Sequence, residues 1–108
     1  MDSADSAAKR DAGVLMESLL RSLLDDFDHW FRRGEKLLET CPLAVMGACE
    51  QEEMLARLQE ARKAIAATRA LTAASSQPVA VSMEAMTPWH GLVTEVWGLA
   101  SRVGRQPS

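Results

Sequence analysis

The sequence predicts an all-α fold, an antiparallel three-helix bundle built from a long helix hairpin plus a shorter C-terminal helix. Three observations predict it. Large apolar residues recur by fours and threes through three separate stretches, which is the spacing of bundle seams. Loop-forming segments, CPLAVMG and SSQPV, divide those stretches. No convincing run alternates apolar and polar residues as a half-buried strand does.

The first helix is the spine. Eleven large apolar residues lie between Leu15 and Leu38, and projection at 100° per residue gathers most of them into one broad arc. An arc of roughly 140° is too wide for a two-stranded seam and suits contact with two neighbours. Met16, Gly34 and Cys41 sit along its centre line, and a 4-3-4-3 spacing runs through Met16, Leu20, Leu23, Phe27, Trp30, Gly34, Leu37 and Cys41. Glycine in a helix interior costs about 1 kcal/mol relative to alanine, so Gly34 on this line points to a close crossing or to room for a partner ring. Glu17, Arg21, Asp25, Asp28, Arg32, Glu35, Lys36 and Glu39 form the opposite face, expected to be solvated, with Asp28–Arg32 a favourable i,i+4 pair. Pro42 ends the helix near Thr40. Residues 1–12 are small and polar and are expected to form a disordered tail, leaving 13–104 as a single helical domain and 105–108 as a frayed end.

The second helix is expected from Glu50 to Ala74. Glu50, Glu52 and Glu53 suit its N-terminal dipole, and its seam is Met54, Leu58, Ala61, Ile65, Thr68 and Thr72. This is a thinner face, because alanines supply little apolar area. A connector from Ser75 to Thr87 follows, with an extended piece and a helical turn from Ser82. Thr87-Pro88 reads as the start of the third helix, a hydroxyl N-cap before proline at the first helical position. Trp89, Leu92, Val93, Val96, Leu99, Ala100 and Val103 share its core face, while Trp97 falls outside it near His90. Helices of roughly 40 Å and 25 Å for the first and third leave part of the hairpin uncovered.

Composition excludes several classes of function. The net charge is −3 and the pI about 5.3, whereas a nucleic-acid binder needs a basic surface. No apolar run approaches the ~20 residues that span a bilayer. The polar start MDSADSAAKRDAG lacks a signal core, so a cytoplasmic location is expected. Cys41 and Cys49 then read as free thiols, a loop-closing disulfide being the alternative.

The sharpest chemical candidate is DDFDHW, where Asp25 and Asp26 can share a helix face with His29. Di-iron bundles hold metal with such carboxylate–histidine motifs, but they need a second one and further carboxylates. His90 and Glu95 do not supply it. No nucleophile sits in a recognisable frame, so neither catalysis nor a cofactor is expected. Candidate partner-binding residues are instead His90 and Trp97, lying off the core face, Arg62 and Arg69, which could meet an acidic partner or Asp26, and Leu43 and Met46 in the apolar loop.

Two blocks, LLDDFDHWFRRGEKLLETCP and PWHGLVTEVWGLA, resemble a family of short cyanobacterial proteins classed as a domain of unknown function. The resemblance covers about Leu15 to Arg102. It implies a cytoplasmic cyanobacterial protein with a tie to photosynthetic physiology, and it carries over no catalytic residue. The resulting expectation is a non-enzymatic interaction or adaptor module acting through a protein partner or self-association. A small-molecule or pigment-binding bundle is one alternative, and peripheral membrane attachment through the 42–49 loop is another.

Overall fold

The computed structural model describes residues 3–74 and 83–105. Three helices follow one another as α1 (Ser3–Glu39), α2 (Ala48–Ala74) and α3 (Met83–Gly104). They run up, down and up, with α1 packed against both others. The particle is elongated, 66 × 23 × 19 Å, because α1 at 37 residues is about 55 Å long. α2 and α3, with 27 and 22 residues, reach only about 40 and 33 Å. The all-α three-helix architecture read from the sequence is the one observed.

Each helix turns its apolar seam inward. Leu24, Phe27, Phe31 and Leu38 from α1 meet Met54, Leu58, Ala61 and Ile65 from α2, and Met86, Leu92, Val93, Val96 and Leu99 from α3. Burying side chains of this size contributes about 1.5–3 kcal/mol each. α2 is less of a rim helix than its composition suggests, since Leu58 and Ile65 are fully buried. Thr68 and Thr72 continue its seam half-buried, their hydroxyls donating to the Ala64 and Thr68 carbonyls at 2.9 Å.

At Gly34 side chains from both other helices press against the α1 backbone. A Cβ built there would lie 2.8 Å from Val96 Cγ2 and 3.0 Å from Leu58 Cδ1. The position therefore accommodates a close crossing, and aliphatic methyl groups, not an aromatic ring, fill the space.

Two helix starts differ from the expected ones. α1 begins at Ser3 and not near Gly13, so residues 3–12, read as a disordered tail, are helical. Their alanines, Lys9 and Arg10 are good helix formers, but residues 8–12 are exposed and so leave no apolar period to detect. α3 begins at Met83, which places Pro88 inside the helix instead of at its first position. Proline at 88 forfeits one backbone bond, to the Glu84 carbonyl. In exchange the extra turn carries Met86 into the core, where it is 4% exposed. The extended piece expected after Ser75 lies outside the described residues, as does the frayed end beyond Arg105.

The 40–47 loop is tied down by Gln51, whose Nε2 donates to the carbonyls of Cys41 at 3.1 Å and Met46 at 2.8 Å. Val45 and Met46 pack against the core, so the loop folds partly over the end of the bundle. Leu43 does not join them and is 70% exposed. Cys41 and Cys49 are free.

Candidate interaction surface

The groove between α1 and α3 carries most of the aromatic side chains. Phe27, buried on α1, receives Trp89 edge-on at 5.5 Å and His90 at 5.0 Å from α3. Further along, Trp97 meets Trp30 edge-to-face at 5.7 Å, and His29 abuts the same indole at 5.2 Å. Trp30 is half-buried, whereas Trp97 is 51% exposed. Such a pair gains about 0.5–1.5 kcal/mol beyond its area burial, so one indole serves as a rigid support for the other. His90 also lies at the surface, its ring edge against Phe27.

By helical projection Leu15 and Leu19 lie on the same side of α1 as Trp30, nearer its N-terminus. Leu15, Met16 and Leu19 are about 60% exposed; α2 ends near their level, with Thr72 and Ala73 beside Leu20. Leu71, also 62% exposed, stands near the same end. A single exposed leucine needs no explanation, but Leu15, Met16 and Leu19 are exposed together within little more than one turn, and clustered apolar exposure is what contact sites show.

Arg62 and Arg69, singled out as partner-binding candidates, are engaged within the fold. Arg62 donates from Nε to Asp28 Oδ1 at 3.2 Å and from Nη1 to Glu35 Oε2 at 2.7 Å. Arg32 takes the other Asp28 oxygen at 2.8 Å. Arg69 pairs with Asp25, and its own Nε is buried with no hydrogen-bond partner. The acidic residues that meet these arginines are thus Asp25, Asp28 and Glu35, and not Asp26. Asp28, expected on a solvated face, is only 9% exposed, because Arg62 reaches over from α2. Its Asp28 and Glu35 hydrogen bonds raise the Arg62 pKa above its ordinary value, Asp28 contributing most.

Across the other interface Arg57 forms a two-pronged pair with Glu95, with Nη1 2.8 Å from Oε1. This bond holds the Glu95 carboxyl below its ordinary value and raises that of Arg57. The pair bridges α2 and α3 at the surface, and helical periodicity does not reveal such a contact between elements.

Two open grooves flank α1 and α2. One, about 780 Å³, includes Arg32, Glu35, Lys36 and Glu52 in its walls; the other, about 570 Å³, includes Glu17, Arg21, Asp25 and Arg69. Both mix charges of either sign. Among the described residues no three histidine, cysteine or acidic side chains converge as a metal site would require, and His29 is turned against Trp30. No described helix is long and apolar enough to cross a membrane.

No curated protein and no solved structure matches the chain. A family match spans residues 10–105, more than the two blocks that carry the resemblance and nearly the whole bundle. The chain belongs to the family described as Protein of unknown function (DUF2605).

Proposed function

We propose that this chain is a non-enzymatic protein–protein interaction module of the cytoplasm, docking through the aromatic groove between α1 and α3. The observation that carries this reading is the tryptophan pair. Trp97 is 51% exposed yet braced by Trp30, and a large ring held ready in one orientation loses little entropy on binding. Tryptophan is enriched among the residues that dominate interface energetics. The exposed Leu15, Met16 and Leu19 extend the same surface and supply apolar area around that anchor.

The alternatives have less to support them. A pigment or other small ligand prefers an enclosed, mostly apolar pocket, and the two grooves are open and lined by charges of both signs. Membrane attachment through the 42–49 loop would rest on Leu43, since Val45 and Met46 face the core.

Capture on immobilised protein, run beside sedimentation, tests the reading. The expected result is an association, with another protein or with itself, that Trp97→Ala weakens. A wild-type chain that stays monomeric and captures nothing overturns the proposal.

A further inference from the structure

One flank of α1 has a symmetry of its own. Leu23, Asp26, Trp30, Arg33 and Leu37 step along the helix by threes and fours, the spacing of a packing seam. At 100° per residue they fall on one side of α1 within about 80°, beside the core seam. Leu23, Trp30 and Leu37 are half-buried against the core, Trp30 beside Trp97 of α3, while Asp26 and Arg33 are exposed. Neither of these two charges has an ion-pair partner among the described residues.

The arrangement is close to palindromic about Trp30. Leu23 stands seven residues before it and Leu37 seven after; Asp26 stands four before and Arg33 three after. Rotation by a two-fold axis through Trp30 therefore lays Leu23 over Leu37 and brings Asp26 to within one residue, about 1.5 Å of rise, of Arg33. A flank that is its own complement is what a symmetric dimer requires.

We propose that two copies of the chain pair antiparallel through this flank of α1, with Trp30 at the two-fold axis and Asp26 of each copy against Arg33 of the other. This deepens the interaction reading and rests on it. The charges select the geometry. A parallel pairing sets Asp26 against Asp26 and Arg33 against Arg33, which is repulsive. An antiparallel pairing slipped by about one turn sets Asp26 against Trp30 and Arg33 against Leu23, desolvating both charges without compensation. Only the Trp30-centred register pairs them, and it does so twice.

The exposed apolar residues fit the same axis. Leu19 lies eleven residues before Trp30 and Leu43 thirteen after it, so the overhanging end of one α1 runs toward the 40–47 loop of the other. The flank from Leu15 to Leu37 is about 33 Å long. With Trp97 and α3 widening it to two helix diameters, its footprint is on the order of 700 Å² per copy, near the ~800 Å² of a stable interface.

Charge reversal tests the pairing without touching the core. Sedimentation equilibrium on the full chain across the micromolar range is expected to show a dimer. Asp26→Arg and Arg33→Asp should each weaken it by roughly tenfold or more, with helicity by circular dichroism unchanged because both side chains are exposed. An equimolar mixture of the two variants should regain association, since one copy then presents two arginines and the other two aspartates. A monomeric wild-type chain overturns the pairing, and so does a mixture that associates no better than its components. If that monomer still captures a different protein in a Trp97-dependent way, the interaction reading stands and only the two-fold pairing fails.

Discussion

Gly34 offers the most quantitative test of the packing, because two opposed effects of similar size meet there. Replacing a mid-helix glycine by alanine gains about 1 kcal/mol in helix propensity. At Gly34 the new methyl group would sit 2.8 Å from Val96 Cγ2 and 3.0 Å from Leu58 Cδ1, well inside van der Waals contact. Neither neighbour can yield cheaply: both are fully buried, and Val96 is β-branched, hence stiff at χ1 in a helix. Overpacking of this kind costs about 1–3 kcal/mol, so Gly34→Ala should be destabilising by about 1 kcal/mol net. In thermal unfolding followed by circular dichroism that is a fall of roughly 5 °C in Tm. Gly91 and Gly98 on α3 are the controls, since a Cβ at either meets nothing within 4 Å. Alanine there should stabilise by about 0.5–1 kcal/mol. Adding Val96→Ala removes the closest methyl group, so the Gly34→Ala penalty should shrink or change sign in that background. If Gly34→Ala stabilises as the controls do, the close crossing of the three helices at this point is wrong.

Other predictions probe separate parts of the bundle. Phe27→Ala, at a ring 3% exposed, should cost about 3–5 kcal/mol and leave the chain largely unfolded by circular dichroism at ambient temperature. Asp28→Ala should cost about 1–2 kcal/mol in urea unfolding, between the values for exposed and buried pairs, because Arg62 keeps Glu35 but loses its more buried partner. The lowered Glu95 pKa means the folded state favours the ionised carboxylate. That contribution is present above the unfolded-state value and is lost as pH falls through the lower folded one. Acid unfolding should accordingly lose part of its pH dependence in Glu95→Gln, by a small amount given the exposure of the pair.

Much of the bundle was legible in the sequence because burial leaves a period. Phe27, Met54, Leu58 and Ile65 are buried on the four-and-three lines read from the sequence, and Leu24, Phe31, Val96 and Leu99 on the broader apolar faces. The α1 line itself is displaced from the core: Leu23, Trp30 and Leu37 are half-buried and Met16 is exposed, because the two neighbours press on Leu24, Phe31 and Leu38 instead. Gly34 marks a close crossing because a seam glycine otherwise only costs helix stability. What burial does not touch was illegible. Near the start of α1, residues 8–12 are helical but exposed, so no buried stripe announces them. At Pro88 the local signal for a helix start was real, but the burial of Met86 two residues earlier outweighed it. Periodicity also assigns a residue to a face without saying which neighbour covers that face. Asp28 and Glu35 therefore read as solvated until Arg62 arrives from α2, and Trp97 read as off-core without revealing that Trp30 braces it. Within the apolar loop, pattern alone could not separate Val45 and Met46, which turn inward, from Leu43, which does not.

Binding through the α1–α3 side would leave the outer face of α2 free. Amide hydrogen exchange compared between the free chain and the associated one, whether a second copy or a captured protein is bound, measures this directly. Exchange should slow between residues 15 and 37 of α1 and around Trp97, with the exposed α2 positions Gln59, Lys63 and Ala66 unchanged. Protection that falls on the α2 face and spares the tryptophan pair would contradict binding through the α1–α3 side.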